Sequence, residues 1–162
     1  MSSASHKNSA LLIETHSLAF QLADPELRII DIRDSESYSG GHILGAHNVS
    51  DLRLKSTETP LYMLEPENFA SLLERLKIGN STNVVIYDDN KSLSASRLWW
   101  LLSYHGHQRA RILNGGFVKW CIENRQLDTG TSPLPNEQIV FKSNIQKPHL
   151  ATLDTLMADY DR

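Results

Sequence analysis

The chain has 162 residues, 40% hydrophobic and 22% charged, with a net charge of −3. Those proportions suit one ordinary globular domain with a tail to spare, and the slight acidity leaves no electrostatic footprint for a nucleic-acid partner. The longest apolar stretches, such as Val84 to Tyr87, fall far short of the roughly 18–20 residues of a membrane span, so no membrane partner is expected.

Residues 1–8 are polar, with the single charge of Lys7 and no apolar core of a secretory signal. A cytoplasmic location is the expectation. The one cysteine, Cys121, excludes an internal disulfide framework and a multi-cysteine zinc site. It fits a reducing compartment.

Leu11, Leu12 and Ile13 form a short apolar run that predicts an edge strand. Thr15 then reads as a helix N-cap, since its hydroxyl can accept a free backbone N–H. Leu18 and Leu22 share one face of the helix that follows, and Pro25 stops it. Leu27 to Ile32 is almost continuously apolar, the pattern of a strand buried on both faces of a parallel sheet. Val84 to Tyr87 and Arg111 to Leu113 repeat it.

Helices fall between these strands. Pro66 suits a first helical position. Phe69, Leu72, Leu73 and Leu76 follow at helical spacing, and Gly79 is the expected left-handed closure. A second helix runs from about Ser94 to Tyr104, with Leu98, Leu101 and Leu102 on its buried face and Gly106 at its end. A third begins near Gly116 and carries Phe117 and Trp120. Strands alternating with helices predict an α/β fold with a mostly parallel central sheet flanked by helices.

Residues 127–136 hold two prolines, a glycine and several hydroxyl residues, which reads as the core of a linker. Beyond it, Leu150 to Leu156 repeats the pattern of Leu12 to Leu18, a short apolar run before a capped helix. The chain stops at Arg162, where the first copy enters its buried strand. A weak internal repeat of this kind points to a second domain.

Three segments carry a resemblance. The first is Asp31-Ile32-Arg33-Asp34 with Tyr38, Gly41-His42-Ile43-Leu44-Gly45-Ala46 and Asn48. The second is Val84-Val85-Ile86-Tyr87-Asp88 with Ala95, Arg97, Trp99 and Trp100. The third is Ile112-Leu113-Asn114-Gly115-Gly116-Phe117, closing at Trp120. In this order and spacing, over about Leu11 to Leu127, they resemble the rhodanese family. The second segment looks like the first domain of tandem thiosulfate and 3-mercaptopyruvate sulfurtransferases. The resemblance implies a rhodanese-like domain over residues 1–126, a linker over 127–148, and the start of a second repeat over 149–162.

It also implies that the chemistry is missing. In the family's active domain the second segment's strand ends in a cysteine, followed by a tight loop into a helix. Here Asp88 holds that position, and the loop runs Asp89-Asn90-Lys91-Ser92-Leu93. Sulfur transfer needs a nucleophile that can hold a persulfide. A thiolate can do so when a helix N-terminus and converging N–H groups lower its pKa. A carboxylate cannot, and two carboxylates repel an anionic donor. Cys121 follows Trp120 on a helix, where a buried structural thiol is the expectation. No catalytic residue is therefore assigned, and no metal or cofactor is expected.

The resemblance offers cleft candidates instead. Its turn at His42 faces the space between two domains, and in mercaptopyruvate-type members a matching His and an upstream Asp assist the other domain. That makes His42 and Asp34 candidates, although the run before His42 is shorter here. From the residues alone, His42 can equally bond the backbone of its own turn. Asp31 reads as a cap for the turn into Ser35–Tyr38, with Arg33 pairing locally. Arg97 can strengthen an anion site at a helix N-terminus or brace a loop through carbonyls or Asp88. The adjacent Trp99 and Trp100 point about 100° apart on a helix, so one of them is expected to leave an apolar patch. His105-Gly106-His107 lacks a third metal ligand, and Gly115-Gly116 reads as a turn rather than a phosphate cradle.

Three functions compete. The first is a supporting half-domain that packs on a catalytic rhodanese domain acting on a small sulfur-donor anion. The second is an aspartate-nucleophile phosphatase or phosphoacceptor, which the contexts of Asp31 and Asp88 fit poorly. The third is a free-standing non-catalytic binding or regulatory module.

Overall fold

The computed structural model describes residues 11–50, 64–89 and 93–146. Among these, strands β1 (Leu12–Ile13), β2 (Leu27–Asp31), β4 (Ala46–Asn48), β5 (Asn83–Tyr87) and β6 (Ala110–Leu113) form one parallel sheet in the order β1-β6-β5-β2-β4. Helices α1 (Thr15–Ala19), α2 (Ser35–Ser39), α3 (Pro66–Arg75), α4 (Leu93–Tyr104) and α5 (Gly116–Ile122) connect and flank it. The expected mostly parallel α/β architecture is what the chain adopts.

The central strands show why. Side chains alternate across a strand, so Ile30, Val84 and Ile86 enter one core with Phe69, Leu72 and Leu73 of α3 and Leu98, Leu101 and Leu102 of α4. Ile29, Val85 and Tyr87 enter the other, with Leu18 and Trp120. Both faces of β2 and β5 are covered, hence their continuous apolar runs.

Several local expectations differ in detail. Thr15 is not the N-cap of α1. Glu14 holds that position without a side-chain bond, and the Thr15 hydroxyl donates to Glu123 at 2.6 Å, tying α1 to the end of α5. The helix closes at Phe20, well before Pro25, so Leu22 lies outside it yet still packs on the same core.

Gly79 does not close α3. Lys77 takes the left-handed conformation (φ 58°), with Lys77 N–H bonded to the Glu74 carbonyl and Ile78 N–H to that of Leu73. This closure drives Ile78 into the core beside Leu73. Gly79 has a different duty, since a Cβ there would meet Ile139 at 3.1 Å. Gly106 does take the left-handed form expected of it (φ 87°).

The stretch read as a linker packs on the domain. Strand β7 (Leu127–Asp128) pairs antiparallel with β3 (His42–Ile43) in a second small sheet. Phe141 is buried in the core of α3 and α4, 6.4 Å from the Phe69 ring. Proline content marks a segment without a ladder of its own; it does not prevent one buried aromatic from anchoring it. Phe141→Ala should cost about 3–5 kcal/mol, the usual penalty for emptying a buried aromatic site. Urea denaturation checks this, and a loss below about 1 kcal/mol contradicts the anchoring.

Candidate functional site

The C-terminal ends of β2, β5 and β6 lie side by side, where open α/β sheets place their sites. Asp31 ends β2 fully buried, with Arg33 nearly so. The Arg33 guanidinium grips the carboxylate through Nε and Nη2, at 3.0 and 2.6 Å, and Nη2 also donates to the Gly41 carbonyl at 2.7 Å. The guanidinium carbon lies over the Phe117 ring, 3.7 Å from its centroid. Tyr87, ending β5, donates its hydroxyl to Asp31 at 2.7 Å and accepts the Ile43 N–H at 3.1 Å.

Electrostatics keep this network charged and donating. Burial alone lowers the Arg33 pKa, but the bonds and charge of Asp31 outweigh it and raise the value. Burial, then the charge of Asp31, pushes the Tyr87 phenol far above its ordinary value. Asp31 is therefore no helix cap, and its own Oδ1 takes the Arg33 backbone N–H at 2.9 Å. The local Arg33 pairing expected from sequence is present.

Asp34 is the cap of α2. Its carboxylate accepts the Ser37 N–H at 2.9 Å and the Ser37 hydroxyl at 2.8 Å, and these two bonds, backbone first, lower its pKa. This short helix was not foreseen, although the Asp34-Ser35-Glu36-Ser37 run carries the signal of an acidic cap before a hydroxyl. His42 is completely buried. Its Nδ1 lies 2.9 Å from the Tyr38 carbonyl, and its ring stacks on Tyr38 at 3.8 Å. Asp34 and His42 thus meet through α2, one holding its start and the other its end. Arg97 stands apart from them, half-buried in the first turns of α4.

Asp88 follows β5 at the position where the resemblance asks for a sulfur nucleophile. It is buried, its carboxylate accepts the Ala95 N–H at 3.2 Å, and its carbonyl accepts the Phe117 N–H at 2.8 Å. It joins the end of β5 to the first turns of α4 and α5. Asp89 lies 3.8 Å from Arg33. Residues 90–92 of this loop lie outside the described residues, as does the repeat at Leu150 to Leu156. Cys121 is half-buried on α5, and burial raises its thiol pKa against the opposing pull of Arg33.

The tryptophans do not form the expected patch. Both are half-buried against the core, Trp99 donates its indole N–H to the Ala110 carbonyl at 3.1 Å, and Trp100 stacks on Tyr104. Alpha4 is apolar on most of its circumference, so neighbouring residues find cover on both sides. Among the described residues, exposed apolar side chains lie instead at Phe20, Leu93 (81% exposed), Val118, Ile122, Leu127 and Val140. No helix among the described residues is long and apolar enough to cross a membrane.

A model of the rhodanese-like domain family matches residues 14–123. The chain belongs to the rhodanese-like family. It is 35% identical over 126 residues to the sulfur carrier protein TtuD of Thermus thermophilus, covering 77% of this chain and 44% of that protein. It is 37% identical over 119 residues to the thiosulfate sulfurtransferase of Azotobacter vinelandii, covering 72% and 44%. To the 3-mercaptopyruvate sulfurtransferase of Escherichia coli K12 it is 29% identical over 156 residues, covering 89% and 55%. The chain therefore spans about half the length of these relatives. Its structure superimposes on that of SseA from Escherichia coli, a 3-mercaptopyruvate enzyme of rhodanese fold, with a TM-score of 0.82 at 28% identity, over 94% of this chain and 62% of that one.

Arg33→Met should cost about 3–5 kcal/mol by leaving the Asp31 carboxylate buried without its cation. Tyr87→Phe should cost about 1–3 kcal/mol, because the Ile43 N–H loses its acceptor. Chemical denaturation of both variants checks the network; changes within about 0.5 kcal/mol of zero contradict it.

Proposed function

We propose that this rhodanese-like domain is the supporting, non-catalytic half of a two-domain sulfurtransferase of the thiosulfate or 3-mercaptopyruvate type. The observation that carries this is Asp88. A buried carboxylate, used as a structural bond acceptor, stands at the strand end where sulfur transfer needs a thiolate. A carboxylate cannot form the S–S bond of a persulfide, whatever its pKa.

Three further observations support the reading. The chain's one cysteine lies on α5 with its thiol pKa raised, the opposite of an activated nucleophile. The chain matches about half of each sulfurtransferase relative. Leu93 and Val118 leave apolar surface beside the strand ends, the kind of surface a partner domain covers. The partner in this reading is a catalytic rhodanese domain, which supplies the cysteine and binds the sulfur-donor anion. The domain contributes one wall of the cleft, through the frame that Asp34 and His42 hold around α2.

The test is turnover. The purified chain should show no thiosulfate:cyanide or 3-mercaptopyruvate:cyanide sulfurtransfer above the uncatalysed rate, and Cys121→Ser should change nothing. Turnover lost with Cys121→Ser would make Cys121 the nucleophile and overturn the proposal. The same null result with a stop codon directly after Arg162 in the source gene would instead favour a free-standing binding module.

A further inference from the structure

Residues 139–146 form a strap across the far side of the domain from the strand ends of β2. Phe141 enters the core, and its N–H donates to the Glu74 carboxylate at 3.1 Å. Lys142 exchanges two bonds of 2.9 Å with the Asn80 side chain. Asn144 N–H reaches the His105 carbonyl at 3.0 Å, and Gln146 N–H that of Tyr104 at 2.8 Å. Two glycines make room: a Cβ on Gly106 would meet the Asn144 carbonyl oxygen at 2.9 Å, and one on Gly79 would meet Ile139.

Two histidines lie beneath the strap, both almost completely buried. His105 Nδ1 is 2.8 Å from the Ser143 hydroxyl, and its ring lies 4.4 Å from that of Phe69. His107 stacks on Phe141 at 6.4 Å and accepts the Arg109 backbone N–H on Nδ1 at 3.3 Å, while its Nε2 is buried without a hydrogen-bond partner.

We propose that this strap is an acid-released latch, docked while His105 and His107 are neutral and lifted when they take up protons. The geometry gives the reason. A proton on Nδ1 of His107 would turn an acceptor into a donor facing the Arg109 N–H. A second charge in this site would be buried against Phe69 and Phe141 with little to compensate it.

The charged groups facing the pair are one anion against two cations. From α3 comes Glu74, whose carboxylate is bonded to the Phe141 N–H. The turn after α4 supplies Arg109, whose charge disfavours a cation on His107. The strap brings Lys142, another cation, and α4 brings the ring of Tyr104, edge-on to His105. Burial lowers the His105 pKa from 6.5 to about 4. For His107 burial is again the largest cause, partly opposed by the backbone of Thr82 and Gly79.

The sign follows from linkage. A lifted strap restores the ordinary histidine value, so the open form binds more protons below about pH 6.5. Docking is at full strength above that pH and weakens as pH falls toward 4. His105 alone makes it about twentyfold weaker at pH 5 than at pH 7. Release frees eight residues, about 26 Å of extended chain, for whatever follows Gln146.

Amide hydrogen exchange of the full chain, followed by NMR and corrected for intrinsic rates, tests this. Between pH 7 and pH 5, protection of Phe141, Asn144 and Gln146 should fall tenfold or more, while Ile30 and Ile86 in the central strands keep theirs. Strap protection that is unchanged, or that falls only in step with those strands, overturns the latch. His105→Gln with His107→Gln should abolish the selective fall, and its persistence there would overturn the assignment to these residues. Should that variant not fold, ring titration in the unaltered chain decides: both histidines titrating near 6.5 while the strap stays protected also overturns it.

Discussion

A buried ion pair at the end of one strand organises this domain. Asp31 and Arg33 are two residues apart, and the extended turn between them folds the guanidinium back onto its own neighbour's carboxylate. Isolated, such a pair is a weak source of stability, because removing both charges from water cancels most of their attraction. Here its value lies in how many elements it satisfies at once. Arg33 holds the Gly41 carbonyl before β3 and lies on Phe117 of α5. Asp31 takes the Tyr87 hydroxyl, and Tyr87 takes the Ile43 N–H. Asn48 of β4 closes the other side by donating to the carbonyls of Asp31 and Arg33. Four strands and a helix thus share one fully bonded network, which fixes the shape of the strand-end surface more tightly than apolar packing alone would.

That network holds the strand ends of the rhodanese-like frame in place. Asp88 sits beside it and joins the end of β5 to the first turns of α4 and α5. Its carboxylate takes the Ala95 N–H. Asp34 and His42 follow the same logic, spending their polar groups on the cap and carbonyl of α2 and shaping a wall through it.

The parts of the fold that were legible in the sequence are those where burial dictates composition. Beta2 and β5 are covered on both faces, so most of their residues are apolar, and the runs at Leu27–Asp31 and Asn83–Tyr87 announce them. The helices α3, α4 and α5 carry apolar spacing and clear starts. Short elements were less visible. Alpha2 is five residues with nothing buried, and β3, β4 and β7 span two or three residues each, too few for a period to register. The strap was read as linker because prolines dominate its approach, while its one anchor, Phe141, belongs to no pattern. Single polar residues were the hardest: Asp34 rather than Asp31 caps the helix, because which carboxylate does so depends on where the strand ends, and Asp31 there is taken by Arg33.

The central claim is that no atom of this chain carries sulfur in transfer. Intact-mass spectrometry after incubation with thiosulfate, and separately with 3-mercaptopyruvate, under non-reducing conditions tests it most directly. The account predicts an unchanged mass in both cases. A gain of one sulfur atom per chain, removed by cyanide and absent from Cys121→Ser, would show a working persulfide on α5 and contradict it.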